Sequence, residues 1–248
     1  RSTPKPSSAA SDVYKRQAYA SFGVRCVIGG EIPNNAGSLS TIKVTAPAGS
    51  ILNAPHPCAV TARHVIGQML PDVVLGCLGQ AIPDRVPAEG TSCLWNPVLL
   101  SGHGLTETQA APDDQPFAMN TFHAGGTGQV MEVAHAKGKD FAINAMFDRV
   151  IYPPRGRHGG GAGLAGKLYL DSGQELSGKG RQTVPAGDRL VIEMPGGGGL
   201  GKPFTRPPAR VAEDVVNGLV SVAAARADYG VVVGGAGQVA LAATEALR

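Results

Sequence analysis

Apolar and polar positions change their spacing several times along this chain. Phe22 to Ile28 is a compact run, apolar apart from Arg25, and Ile42-Lys-Val-Thr-Ala46 alternates until Pro47-Ala-Gly-Ser50, so both predict short strands. After Pro57 the spacing becomes helical over a segment near 59–82. Val60 and His64 share one face, and Val73, Cys77 and Ala81 line another beside Val74, Leu78 and Ile82. Pro71 predicts two helices or one kinked helix, and Pro83 a stop. Beyond residue 129, Val130 to Val133, Phe147 to Tyr152, Lys167 to Leu170 and Arg189 to Met194 read as short antiparallel strands between Gly/Pro turns. Pro207 and Pro208 open a helix that Gly218 closes, Ser221 caps a second, and Val231 to Val233 reads as a last strand. Val211, Val215 and Leu219 are expected inward; Glu213, Asp214 and Arg226 form an expected solvated face. The fold class is α+β, with a β-rich C-terminal half.

Composition explains the brevity of these elements. Glycine (35) and proline (19) exceed a fifth of the 248 residues, against roughly 12% in ordinary proteins. Only 5% of residues are aromatic, so the core must be built of Val, Leu, Ile and Ala. The whole positive excess lies in residues 1–17, where Arg1, Lys5, Lys15 and Arg16 face Asp12. The rest is balanced, so no nucleic-acid partner is expected. That polar leader is expected to be disordered or artefactual and not part of the fold. No apolar run reaches the ~18 residues of a membrane span, and the expected compartment is the cytoplasm. Cys26, Cys58, Cys77 and Cys93 lack C-x-x-C spacing and read as buried free thiols.

Two glycine patterns imitate phosphate cradles. Gly196 and Gly201-Lys202 have P-loop spacing, but Pro203 stands where a hydroxyl would bind magnesium, and Pro207 and Pro208 delay the helix. Gly161-Ala-Gly163-Leu-Ala-Gly166 matches a dinucleotide fingerprint but runs into a strand pattern; Gly235-Ala-Gly237 has no second strand after it. Both are expected to be turns. The six histidines form no zinc-type cluster, no G-x-S-x-G elbow is present, and Asp188 after Gly187 reads as a turn residue. His64 is expected to be packed or hydrogen-bonded. No metal or cofactor-binding residue is assigned. The pocket candidates are His123, beside a glycine turn, and Arg63, as an anion-binding cation.

Longer patterns carry a resemblance. Pro195-Gly-Gly-Gly-Gly-Leu-Gly-Lys-Pro-Phe204, the stretch Arg206 to Ser221 and Ala227-Asp-Tyr-Gly-Val-Val-Val233 together resemble the C-terminal signature of the hydantoinase B/oxoprolinase family. Ile32-Pro-Asn-Asn-Ala-Gly37, Ala46 to Asn53, the Arg63 to Leu78 helix and Ile82 to Ala88 are similar to it too. At His123-Ala-Gly-Gly-Thr-Gly-Gln129 one turn stands for two turns of the family, and the segment between them is missing. The resemblance implies an N-terminally truncated, internally shortened chain. Residues 18–128 would be the middle part of the domain and 129–248 its β-rich C-terminal part.

The resemblance further implies a parent that hydrolyses a cyclic amide, of hydantoin or 5-oxoproline type. It would work in a hetero-oligomer with a hydantoinase A-like subunit that handles ATP and Mg, and would hold a divalent metal outside the residues present. The family's His-His-x-Asp-x-Gly-Gly motif has no match here, so the isolated chain is expected to be inactive. The alternatives are a non-catalytic assembly module and a subunit of an ATP-dependent ketone carboxylase.

Overall fold

A computed structural model describes residues 8–55, 57–58, 60, 63–95, 97–101, 117–118 and 129–248. Helix α1 (Ser8–Ile28) packs against α3 (Arg63–Leu78), and a short α2 (Ala36–Ser40) lies between them in sequence. Phe22 to Ile28 is therefore helical, not a strand. Its apolar run is compact because it covers two turns: Arg16, Ala20, Gly23 and Val27, at helical spacing, face inward while Phe22 and Ile28 are exposed. The two helices meet at glycines. A Cβ on Gly23 would sit 3.1 Å from Val74 Cβ and 3.2 Å from Pro71 Cα, and one on Gly67 would lie 2.4 Å from the Tyr19 ring. Pro71 sits inside a single helix. Val27, Leu75 and Val86 form the small core below this pair.

The alternating stretch Ile42 to Ala46 forms no strand. Its backbone partner is a side chain: Gln17 Nε2 donates to Ile42 O (2.6 Å) and Val44 N donates to Gln17 Oε1 (3.0 Å). Arg16 Nη1 donates to Leu52 O (2.9 Å). The leader boundary expected at residue 17 thus falls inside α1, with Arg16 and Gln17 packed on the fold. Asn35 and Ser38 form the capping box that starts α2.

Two antiparallel sheets follow. One has the order β2 (Phe117–Ala118), β1 (Val98–Ser101), β4 (Phe141–Met146), β6 (Lys179–Val184). The other has the order β3 (Val130–Ala134), β7 (Arg189–Glu193), β5 (Lys167–Leu170). β3, β5 and β7 fall within a residue of expectation. Phe147 to Tyr152 does not: the strand lies just before it, and Ile151 and Tyr152 are exposed. β6 has only Val184 buried, so its sequence carries no apolar alternation. Trp95, Leu99, Phe141, Ile143, Phe147, Leu168, Leu170, Leu190 and Ile192 share one core, so residues on both sides of 128 build it together. The Trp95 and Phe147 rings stack at 4.5 Å.

At the C-terminus α4 (Pro208–Val216), α5 (Val222–Tyr229) and α6 (Leu241–Glu245) surround Val211, Ala212, Ala225, Val231 and Val233. Ser221 Oγ accepts from Ala224 N (3.0 Å), and Gly230 ends α5 at φ 61°. Val231 to Val233 forms no strand, only a bridge from Val233 to Val239. Leu219 is exposed, against expectation, and half-buried Asp214 makes an exposed ion pair with Arg206 at 2.6 Å. Only Cys93 is a buried thiol; Cys26, Cys58 and Cys77 are exposed, against expectation.

Candidate functional site

Three consecutive residues after β4 go to three places. Phe147 enters the core, Asp148 reaches a cavity and Arg149 enters an ion cluster. Arg149 can turn away because its backbone is left-handed, at φ 65°, a conformation costing a non-glycine residue about 1–2 kcal/mol. Its guanidinium spans two carboxylates: Nη2 donates to Asp72 Oδ2 (3.2 Å) on α3, and Nη1 donates to Glu89 Oε2 (3.0 Å). Both pairs are nearly dry, with side-chain exposures of 8% and 10% for Arg149 and Asp72 and 4% for Glu89. Arg155 adds Nε to Glu89 Oε1 (2.7 Å) and its own N–H to Oε2 (2.9 Å). Burial alone would push the Glu89 carboxyl up; the bonds from Arg155 and Arg149 outweigh it and hold the group below the ordinary carboxylate value. An anion held this way is a fixed charge, unsuited to exchanging protons near neutrality.

The glycine-rich turns pack onto each other beside this cluster. A Cβ on Gly160 would lie 2.1 Å from Gly199 O, one on Gly163 2.3 Å from Gly196 O, and one on Gly198 2.3 Å from Arg155 O. Gly199 N donates to Gly161 O (2.9 Å), Gly196 N to Leu164 O (3.0 Å) and Gly198 N to Glu89 O (2.8 Å). The backbone amides a phosphate would need at these three glycines are already donating.

A cavity of about 360 Å³ opens on the other side of the Asp148 turn, within the size range of small-ligand sites. Its walls are Ile51, Leu52, Val60, Ile66, Leu70 and Met146, with Arg16, Arg63, Lys179 and Asp148 supplying charge. Lys179 Nζ pairs with Asp148 Oδ1 (2.8 Å), and Arg63 Nη1 donates to Val60 O (2.7 Å). Among the described residues three cations and one carboxylate line the cavity, a balance that favours an anionic ligand group.

Of the two sequence candidates, Arg63 lies on this wall and His123 lies outside the described residues. The glycine junction 123–128 lies outside them too. His64 is half-buried and does not line the cavity. Asp188 accepts from Ser172 Oγ (2.7 Å) and Arg189 N (2.7 Å), bonds that, the Ser172 one foremost, lower its carboxyl. Among the described residues no group of three or more His, Cys, Asp or Glu side chains is placed to hold a metal ion. Sequence reading missed Asp72, Glu89, Arg149 and Arg155. The one signal was an aspartate on the apolar face of α3.

The hydantoinase B/oxoprolinase family model matches residues 6–128 and 121–203. This chain belongs to the hydantoinase B/oxoprolinase family. It is similar to the B-type subunit of a putative D-/L-hydantoinase of Pseudomonas sp., 23% identical over 88% of this chain and 45% of that protein. It is also similar to 5-oxoprolinase 1 of Arabidopsis thaliana, 29% identical over 73% of this chain and 17% of that protein. Among solved structures, the ATP-dependent caprolactamase of Pseudomonas jessenii shares the fold, with a TM-score of 0.59, 24% identity, and coverage of 96% of this chain and 50% of that one. The chain thus spans half or less of these relatives. Among the described residues no helix is long and apolar enough to cross a membrane.

Proposed function

We propose that this chain is part of the B-type subunit of a cytoplasmic, ATP-dependent enzyme that opens a cyclic amide, with ATP handled by a partner subunit of the hydantoinase A type. The observation that carries this reading is the family match across residues 6–203. The similarity to a B-type hydantoinase subunit over most of the chain supports it, as do relatives named for 5-oxoproline and caprolactam chemistry. The packing of the glycine turns on each other supports leaving the nucleotide to the partner. Ring opening of a cyclic amide yields a carboxylate, and Arg63 on the positive wall of the cavity is assigned to an anionic group of that kind.

The parent subunit, coexpressed with a hydantoinase A-type partner, should release ADP only when a hydantoin, 5-oxoproline or a lactam is supplied. The isolated chain should give no MgATP signal in calorimetry. Amide-independent ATP turnover by the pair, or saturable micromolar MgATP binding by the isolated chain, would overturn the assignment.

A further inference from the structure

The two family matches overlap. Residues 121–128, Thr-Phe-His-Ala-Gly-Gly-Thr-Gly, belong to both. The same shortfall shows in the alignment with the Pseudomonas hydantoinase: it runs over 269 positions but uses 88% of this chain, about 218 residues, so about 50 positions of the relative have no counterpart here. The overlap brackets the break in the family match to residues 121–128, a stretch that ends just before Gln129.

On the far side of that point lies a sheet edge that is uncovered among the described residues. β3 starts at Val130 and, among the described residues, has β7 as its one strand neighbour. The opposite edge of the same sheet is covered: Leu170 N donates to Gln174 O (2.8 Å) and Leu176 N to Leu168 O (2.8 Å), laying residues 174–176 along β5. β3 has no such cover among the described residues, and Val130 at its start is 68% exposed. Beside it lies a hollow of about 420 Å³, lined among the described residues by Gln129, Val130, Met131, Ile192 and Met194, none of them charged. An unpaired backbone edge next to an uncharged, largely apolar hollow fits an extended apolar segment, whose amides complete the ladder while alternate side chains fill the hollow.

We infer that the outer edge of β3 and the hollow at Gln129, Met131, Ile192 and Met194 are the seat of the family segment that this chain lacks between Gly128 and Gln129. The occupant is that segment because it would join the chain one residue before β3, and a short connection there delivers an antiparallel strand to this edge. With no other cover among the described residues, the edge is open to a second copy of the chain. The inference holds whichever reaction the parent catalyses.

The test compares the 248-residue chain with the same chain carrying the Pseudomonas relative's segment between Gly128 and Gln129. Amide hydrogen exchange over Gln129–Ala134 should slow about tenfold or more on insertion, and self-association should disappear. Unchanged exchange in an inserted chain whose Trp95 fluorescence is that of a folded protein overturns the inference. Where the inserted chain fails to fold, the segment is added as a free peptide to the original chain: saturable protection of 129–134 supports the inference and its absence refutes it. Association that Val130→Lys abolishes while neither form of the segment protects β3 also refutes it, because the edge then serves a second copy.

Discussion

Replacing Glu89 by Gln keeps the side chain's shape and removes the charge that holds α3 and the glycine platform to the β core. Glu89 accepts from Arg149 Nη1 and from the N–H and Nε of Arg155. The amide presents an NH2 where one carboxylate oxygen stood, setting donor against donor in a nearly dry site. Removing one partner of a buried ion pair costs about 3–5 kcal/mol. The Arg155 share is small because its side chain is 80% exposed, and exposed pairs contribute about 1 kcal/mol or less. Arg149 keeps Asp72, so a loss of about 3 kcal/mol at neutral pH is expected. Trp95, the sole tryptophan, is buried against Phe147 and reports the core next to this cluster. With a urea slope of about 3 kcal/mol per molar, its fluorescence midpoint should drop by roughly 1 M. The pH dependence has a fixed sign. The folded Glu89 carboxyl lies below its unfolded value, so its stabilisation is complete above about pH 5 and is lost as the pH falls through the folded value. The gap between the wild-type chain and the variant should therefore be constant from about pH 8 to 5 and narrow in acid. A midpoint within about 0.2 M of the wild type, or a gap that does not narrow, would refute the reasoning.

Gly160→Ala places a Cβ 2.1 Å from Gly199 O and should cost about 1–3 kcal/mol, whereas Gly161→Ala, with nothing within 4 Å, should be neutral in the same melts. An aromatic disulfide reagent should modify Cys26, Cys58 and Cys77 in the folded chain, but Cys93 only on unfolding, because burial pushes its thiol up to about 11; four equally fast thiols would contradict the fold. Gln17→Ala removes both bonds to the 42–44 segment and should speed its proteolysis without changing the Trp95 signal; unchanged cleavage would show that α1 does not hold it.

The legible parts of the sequence are those governed by local rules. Pro208 and Ser221 start their helices and Gly218 closes the first, because caps depend on a few adjacent residues. β3, β5 and β7 are legible because each is a short apolar run between turn residues, facing one core. What fails needs a distant partner. Ile42 to Ala46 has the alternation of a strand, yet the group that meets its backbone is Gln17, 25 residues away from Ile42. β6 is set by the register Phe141 to Val184 across the sheet and has almost no apolar pattern of its own. Arg63 reaches a cavity wall, but the hydrophobic walls around it come from segments that no local pattern links to it. The cluster around Arg149 is invisible in the sequence because its members lie 60 and 77 residues apart.

The glycine signature shows why residues spaced like a nucleotide site can instead pack against each other. A phosphate cradle and a backbone-to-backbone contact make the same demand on sequence: residues without a Cβ, so that another group can approach the main chain. In a cradle the approaching group is an anion and the amides point at it. Here it is the other glycine turn. Gly160 and Gly163 face the carbonyls of Gly199 and Gly196, and the amides of Gly196, Gly198 and Gly199 are spent on Leu164, Glu89 and Gly161. The Gly198 amide bonds the backbone of Glu89, whose side chain closes the ion cluster, so the platform and the cluster lock together through one residue. The signature therefore marks a joint that fixes the Arg157 and Glu89 segments against the strand end at Met194, and spacing alone cannot separate that duty from phosphate binding; the partner of each amide can.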